Sequence, residues 1–102
     1  MQQPWMSVVV PAYNEEQAIA GTLTALREWL EATGHSYEIV VVDNASEDGT
    51  PDVVRRFAQD GCVRLLVNET NRGKGYSVRR GMLETSGALR LMCDADCGPS
   101  LA

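Results

Sequence analysis

Two aspartates, Asp94 and Asp96, stand one residue apart directly after the apolar run Leu91-Met92-Cys93. In an extended segment, residues two apart point to the same side, so the two carboxylates are expected to lie close together. Like charges this close repel each other unless a cation lies between them or one carboxylate takes up a proton. Mg²⁺ and Mn²⁺ prefer oxygen ligands and commonly complete their coordination with water and substrate phosphates. The pair therefore predicts a metal–diphosphate site, with a solvated acidic turn as the alternative.

Four apolar runs alternate with helical patterns along the 102-residue chain. The runs lie at 5–13, 37–43, 62–68 and 88–94, and the helical patterns lie at 15–33, from Thr50 to just before Gly61, and from about Lys74 to Ser86. Continuous apolar runs are typical of parallel strands that are buried on both faces. The alternation predicts an α/β fold with a parallel sheet, right-handed crossovers, flanking helices and the strand order 3-2-1-4.

Polar residues are concentrated where the four runs end. The clusters PAYNEE (11–16), DNASEDGT (43–50), NETNRGKG (68–75) and DADCG (94–98) each follow a run, whereas the opposite connections look like plain turns. The carboxyl ends of parallel strands share one rim, and ligands of open α/β sheets bind there, where the direction of winding reverses. We therefore expect a ligand site at this rim, between the first and fourth strands.

Within these clusters, the candidate binding residues also have structural interpretations. Tyr13 could pack on a nucleobase or cover the end of the first strand. Asp43 could accept hydrogen bonds from a base or a ribose, or cap the turn that follows it. Arg72 and Lys74, beside glycines at a helix N-terminus, could cradle a diphosphate or be ordinary surface cations. Glu15 opens a helix, where the helix dipole favours acids in any case.

Several classes of function are disfavoured. Nine basic against fourteen acidic residues give a net charge of −5, which argues against nucleic acid as a partner. The spacing of a phosphate-binding P-loop is absent, and no GxGxxG follows the first run, which disfavours a dinucleotide site. Three cysteines and one histidine are too few for a zinc site without further ligands.

The N-terminal residues, the lengths of the apolar runs and the few cysteines favour a cytoplasmic location. Residues 1–5 lack the basic start and long apolar stretch of a signal peptide. No apolar run approaches the roughly 20 residues of a spanning helix. We expect the three cysteines to be reduced thiols, as is usual in that compartment.

Four motifs, SVVVPAYNEE, EIVVVDNASEDGT, NRGKGYSVRRGM and LMCDAD, occur together in this order. They resemble family 2 glycosyltransferases, above all the branch that includes dolichyl-phosphate β-glucosyltransferases and polyprenyl-phosphate glycosyltransferases. The resemblance, from about Met6 to Asp96, implies the Rossmann-like half of a glycosyltransferase A-type fold. It implies an enzyme that binds a nucleotide-diphosphate sugar, with UDP favoured over GDP, together with Mn²⁺ or Mg²⁺. The implied reaction is inverting transfer to a polyprenyl or dolichyl phosphate, with the parent protein at the cytosolic face of a membrane.

The resemblance also assigns roles to individual residues. Asp94 and Asp96 would be the catalytic, metal-binding residues of the Asp-x-Asp motif, with Asp94 near the ribose or sugar and Asp96 on the metal. Asp43 would contact the base. The complete set implied for nucleotide binding is Pro11, Ala12, Tyr13, Glu15, Asp43, Arg72, Lys74 and Asp94.

Some features depart from the family pattern. Asn44 stands where similar sequences commonly carry an acid, and Ala45 where they carry a glycine. The sequence also ends soon after Asp96. We therefore expect residues 1–102 to be a single donor domain, truncated after the motif, which lacks the acceptor half and has little activity alone. The fourth strand would then have an exposed edge, and we expect a homodimer to form through it.

Two other functions remain open. A nucleotidyltransferase-like enzyme would also use a metal and a nucleotide, but would need a glycine-rich, basic loop after the first strand, which PAYNEE is not. A non-catalytic nucleotide-binding or interaction module would keep the fold without the chemistry. The sequence does not distinguish between bases, sugars or acceptors.

Overall fold

Strands and helices alternate along the chain, as the sequence predicts. A computed structural model describes residues 3–96, so the Cys97 and Gly98 of the last polar cluster lie outside the described range. A short 3₁₀ turn, Ala58–Asp60, follows the second helix directly. The elements in chain order are β1 (Met6–Ala12), α1 (Ile19–Thr33), β2 (Tyr37–Asp43), α2 (Thr50–Phe57), β3 (Val63–Val67), α3 (Lys74–Leu83) and β4 (Leu89–Met92).

The four strands form one parallel sheet in the order β3-β2-β1-β4, which confirms the predicted fold class. The central strand β1 pairs with β2 along its whole length, from Met6 opposite Tyr37 to Ala12 opposite Asp43. Its other edge pairs with β4, from Met6 to Val9. The winding direction therefore reverses between β1 and β4, at the point where the sequence places the ligand site.

Helices cover both faces of the two central strands. Val8 and Val10 face one way and pack in a core with the apolar stripe of α1 and with Val54 of α2. Val9 faces the other way and packs with Val40 and Val42 of β2, with Met82 of α3 against them. Because both faces are covered, β1 and most of β2 are buried, and their apolar residues run without interruption.

The edge strand β4 differs from its sequence-based interpretation. Its apolar residues predict burial on both faces, yet Leu89, Leu91 and Met92 are 47%, 43% and 44% exposed. The reason is its position, since the helices cover β1 and β2. Within residues 3–96, β4 pairs only with β1. The general expectation of burial on both faces therefore holds for β1 but not for β4, whereas the expected exposed edge of the fourth strand is found in the described part of the chain.

Three smaller findings bear on the sequence predictions. α1 begins at Ile19, four residues later than the helical pattern, because Asn14 takes a left-handed conformation with a φ of 51°.

Cys62 is a free thiol, but Cys93 is disulfide-bonded, so the prediction of three reduced thiols is wrong. The number of cysteines alone did not indicate that Cys93 forms a disulfide. In the described range, no helix is long and apolar enough to cross a membrane.

A glycine in α3 allows this helix to lie close to the sheet. A Cβ atom at Gly81 would collide with Val9 and meet Val42 at 3.2 Å. We expect Gly81→Ala to lower the free energy of unfolding by about 1–3 kcal/mol, because α3 or the valines must shift. A Cβ atom at Gly21 of α1 would meet nothing within 4 Å. Gly21→Ala should therefore raise stability by up to about 1 kcal/mol. Urea denaturation of both variants checks this, and equal effects would contradict the close packing.

Candidate functional site

A cleft of about 510 Å³ opens at the carboxyl rim, where β1 and β4 diverge. Its walls come from the segments that follow all four strands, so residues distant in sequence meet there. The lining residues are Pro11, Ala12, Tyr13, Glu15, Asn44, Asn71, Gly73, Lys74, Ser77, Asp94, Ala95 and Asp96. Seven of these were predicted as site residues, and they come from three of the four polar clusters.

Two predicted site residues do not line this cleft. Asp43 is fully buried, and its carboxylate accepts hydrogen bonds from the backbone N–H of Ser46 at 3.0 Å and from its hydroxyl at 2.6 Å. This geometry fits its alternative interpretation as the cap of a turn. Arg72 lies over the ring of Tyr76, 5.4 Å from its centroid, and lines a smaller cleft beside β3.

The Asp-x-Asp segment is anchored by the small residue between its aspartates. Ala95 is buried against the core, and its carbonyl oxygen accepts a hydrogen bond from the Thr22 hydroxyl of α1 at 2.5 Å. Just before it, the backbone N–H of Cys93 donates to Val9 at 2.9 Å, which extends the β1–β4 pairing. Asp94 and Asp96 therefore extend into the cleft from a fixed backbone.

One ion pair crosses the cleft. The Lys74 ammonium, at the first residue of α3, lies 2.5 Å from a carboxylate oxygen of Asp94. The Lys74 side chain is 57% exposed and the Asp94 side chain 50%. Water therefore screens the pair, and its contribution to stability is small. Its importance is geometric, because it brings a cation and the first aspartate of the motif together across the cleft.

Glu15 adds negative charge to the cleft, close to the two aspartates. Burial raises the pKa of the Glu15 carboxyl above its usual value, and the nearby carboxylates of Asp96, Asp48 and Asp94 raise it further. The backbone N–H of Glu15 donates to the Thr50 hydroxyl at 2.9 Å, which fixes this residue beside the cleft. Three carboxylates of the cleft thus repel one another, and a bound cation would relieve that repulsion.

Hydrogen bonds join the loops after β1 and β2 into one wall. The backbone N–H of Asn14 donates to the Ser46 hydroxyl at 2.8 Å, and its side-chain oxygen accepts from the N–H of Glu47 at 2.8 Å. The N–H of Glu16 donates to Asp48 at 3.2 Å. These contacts hold in place the loop that carries Tyr13, whose ring is 41% exposed at the cleft.

Sequence reasoning missed three polar residues that line the cleft: Asn44, Asn71 and Ser77. They belong to one hydrogen-bonded network with Asn68, which is buried at the end of β3. The signal for Asn44 was its position directly after a buried strand, where a polar side chain needs partners. It was overlooked because the neighbouring Asp43 carries the charge.

A second cleft, of about 690 Å³, lies at the opposite rim but offers less chemistry. Glu38, one of its two acidic residues, already accepts hydrogen bonds from the Ser7 hydroxyl at 2.5 Å and the Ser86 N–H at 3.0 Å. Arg64, in the same cleft, lies 3.5 Å from Glu38 and donates to the carbonyl oxygen of Glu84. These polar groups fasten the strand ends together, so we place the functional site at the carboxyl rim.

Comparisons with known proteins identify the family of this chain. The sequence model of the family described as Glycosyl transferase family 2 matches residues 7–100. A dolichyl-phosphate beta-glucosyltransferase from Dictyostelium discoideum is 37% identical over 100 residues, which cover 90% of this chain and 31% of that protein. The chain thus spans about a third of the length of the curated relatives it matches.

Two solved structures share the fold. A mannosyltransferase from Pyrobaculum calidifontis in complex with GDP-Man and Mn²⁺ superposes with a TM-score of 0.79 at 33% identity, over 94% of this chain and 28% of that one. TarS 1–349 of S. aureus in complex with UDP gives a TM-score of 0.78 at 30% identity, over 89% of this chain and 27% of that one. Both proteins carry a nucleotide in these structures.

The anchor of the Asp-x-Asp segment can be tested with a matched pair of threonines in α1. Thr22→Val keeps the shape of the side chain but removes the donor to Ala95, so we expect a loss of about 1–3 kcal/mol of stability. Backbone amides from Asp94 to Asp96 should exchange faster with solvent. Thr24 is exposed in the same helix, and Thr24→Val should change neither quantity. Unchanged exchange at the aspartates in Thr22→Val would rule out this anchor.

Proposed function

Since the chain belongs to glycosyl transferase family 2, we propose that residues 1–102 form the donor domain of a glycosyltransferase, which binds a nucleotide-diphosphate sugar. The observation that carries this proposal is the cleft at the winding reversal. Acidic side chains of Glu15, Asp94 and Asp96 face the cation of Lys74 across it. A nucleotide diphosphate together with a divalent cation carries both kinds of charge that such a cleft can accept.

In this proposal each wall binds one part of the donor. The exposed ring of Tyr13 would pack on the base, with Pro11 and Ala12 behind it. Lys74 and the N-terminus of α3, where backbone N–H groups lack helical partners, would contact the diphosphate. Asp43 and Arg72 do not line the cleft, so they would act by shaping its walls.

The acidic residues fit a divalent cation only together with the diphosphate. In the described part of the chain, no cluster of three or more acidic, histidine or cysteine side chains could hold a metal ion unaided. Asp94 and Asp96 supply hard oxygen donors, and Asp94 already attracts the cation of Lys74. Mn²⁺ or Mg²⁺ would therefore take its remaining ligands from the phosphates and water. Such an ion would offset the charge of the departing diphosphate.

The proposed reaction is an inverting displacement at the anomeric carbon. An acceptor oxygen forms the new bond, and the old carbon–oxygen bond breaks with its electron pair leaving on the nucleoside diphosphate. The name of the Dictyostelium relative supports a dolichyl or polyprenyl phosphate as acceptor. Such a phosphate is largely ionised at neutral pH, since its second pKa is about 6, so it needs little help from a base. A lipid acceptor would place the reaction at a membrane surface, the cytosolic one in our proposal.

The length of this chain relative to its relatives bears on how much of the transfer reaction it performs alone. Because this chain spans about a third of its relatives, we propose that it binds the donor alone but transfers little sugar by itself. Transfer would depend on residues beyond those shared with this chain. We favour UDP over GDP as the nucleotide. The UDP complex of TarS supports UDP, and the GDP-Man complex of the mannosyltransferase makes GDP the alternative.

Calorimetric titration tests donor binding directly. We expect UDP, in the presence of Mn²⁺, to bind to the chain more tightly than GDP, and Mn²⁺ alone to bind weakly, because two carboxylates are too few ligands. Asp96→Asn keeps the shape of the side chain but removes its charge, and should weaken metal-dependent binding at least about tenfold. Asp52→Asn, on the exposed face of α2, is the matched control and should bind like the unmodified chain.

Other outcomes of this titration would point elsewhere. Binding of nucleoside triphosphates in preference to diphosphates would favour a nucleotidyltransferase-like enzyme. No binding of any nucleotide, with or without metal, would contradict the donor-domain proposal and favour an interaction module.

We also propose that the open edge of β4 pairs with a second copy of the chain. Apolar side chains of β4 continue into a shallow apolar cleft lined by Val8, Leu26 and Trp29, and an unpaired apolar edge favours association. Sedimentation equilibrium should show a dimer, and Leu91→Lys on β4 should convert it to a monomer. Leu83→Lys, at an exposed leucine of α3, is the control and should leave the dimer intact. A monomeric unmodified chain at high concentration would disprove this interface.

A further inference from the structure

Asn44 occupies an unusual place beside the cleft. It follows β2 directly, is only 5% exposed, and its backbone N–H donates to the carbonyl oxygen of Ala12 at 2.8 Å. This contact continues the β1–β2 pairing by one residue and fixes the backbone of Asn44. The side chain therefore starts from a rigid point of the sheet and extends to the cleft.

Both ends of the Asn44 amide are used. Its oxygen accepts hydrogen bonds from the side-chain N–H of Asn68 at 3.0 Å and from the backbone N–H of Arg72 at 2.8 Å. Its nitrogen donates to the side-chain oxygen of Asn71 at 2.9 Å. One side chain thus ties the end of β2 to the end of β3 and to two successive residues of the loop before α3.

The loop that Asn44 holds leads directly to Lys74. The side-chain oxygen of Asn71 accepts a second hydrogen bond, from the backbone N–H of Gly73 at 3.0 Å. Gly73 has a φ of 87°, so the chain turns sharply there before α3 begins. The loop conformation that Asn44 and Asn71 share therefore decides where the first turn of α3 and the Lys74 ammonium lie.

The other side of the network prevents Asn44 from reorienting. Asn68 is 3% exposed, and its nitrogen also donates to the Ser77 hydroxyl at 2.9 Å. Its oxygen accepts from the Arg80 guanidinium at 2.9 Å. Because both ends of the Asn68 amide are occupied, its donor must face the Asn44 oxygen, which leaves the Asn44 nitrogen toward Asn71.

Only an amide at this position can both accept from Asn68 and Arg72 and donate to Asn71. An aspartate has acceptors alone, so a carboxylate oxygen would face the Asn71 oxygen, and the two would repel. Rotation of the Asn71 amide would relieve this contact but would present a donor to the N–H of Gly73. The amide of Asn44 therefore holds the loop in a manner that an acid at this position does not allow.

We infer that Asn44 is a positioning residue for the diphosphate of the donor: through Asn71 and Arg72 it fixes the loop that presents Lys74 and the α3 N-terminus to the phosphates. This inference rests on the proposed function, because it concerns the same cleft. It assigns Asn44 no contact with the base, which separates its role from that of Tyr13.

The test compares binding of a nucleoside with binding of its diphosphate. Asn44→Asp keeps the size of the side chain but removes its donor. With Mn²⁺ present, we expect the affinity for UDP to fall about tenfold, and that for uridine to stay within about twofold. Gln17→Glu adds the same charge at an exposed position in the segment that follows β1, outside the walls of the cleft. It should change neither affinity. Equal losses for uridine and UDP in Asn44→Asp, or no loss, would overturn the inference.

A second readout needs no nucleotide. In the free chain, Asn44→Asp should speed hydrogen exchange at the backbone amides of Arg72 and Gly73, and Gln17→Glu should not. Asn71→Ala, at an exposed position that tolerates truncation, should do the same at Gly73 and weaken UDP binding in parallel. Unchanged exchange in both variants would overturn the positioning role. If the unmodified chain binds no nucleotide while exchange responds as expected, only the proposed function and the diphosphate role fail.

Discussion

The structure depends on the double pairing of β1. This strand is buried on both faces and hydrogen-bonded on both edges, to β2 over its full length and to β4 over its first half. Parallel pairing forces the carboxyl ends of all four strands to one rim. The segments that follow the strands meet at this rim and form the walls of the cleft.

The charges of the cleft are arranged for a ligand more than for stability. Glu15, Asp94 and Asp96 repel one another, and the cation of Lys74 meets only one of them in a solvent-screened pair. Other hydrogen bonds hold the rim. Those of Asn44 and Asn68 hold one wall, those of the Asp43 carboxylate hold the turn after β2, and that of Thr22 holds the segment with the two aspartates. Walls held in this way, with charged side chains exposed between them, suit a diphosphate with a cation.

Much of this could be predicted from the sequence, because the relevant signals are local. Apolar runs interrupted by helical patterns fix the order of the elements, and parallel pairing then brings the polar clusters together. Burial could not be predicted as well. β1 and β4 both lie in apolar runs, although β4 contains Arg90, and the number of neighbouring strands and helices leaves β4 about half exposed and β1 buried.

Neighbouring side chains differ in whether they line the cleft, and residue type alone did not indicate which of them does. Asp43 and Asn44 are adjacent, and since successive residues of a strand point to opposite faces, only one of them can reach the cleft. Sequence reasoning chose the charged residue, but Asp43 caps a buried turn and Asn44 lines the site. Arg72 and Lys74 also differ, because Lys74 lines the cleft and Arg72 lines the smaller cleft beside β3. Types of residue indicated the chemistry of the rim, whereas the pleat and loop conformation decided which residues carry it.

The proposed function requires this rim to bind a nucleotide diphosphate together with a divalent cation. Paramagnetic broadening by Mn²⁺ tests this most directly, because the effect falls steeply with distance from the ion. At a small fraction of one equivalent of Mn²⁺, we expect the strongest broadening at the amides of 12–15, 71–74 and 94–96, a clear increase when UDP is added, and no broadening when Mg²⁺ replaces Mn²⁺. Broadening that is strongest around Glu38 at the opposite rim, or that UDP leaves unchanged, would contradict it.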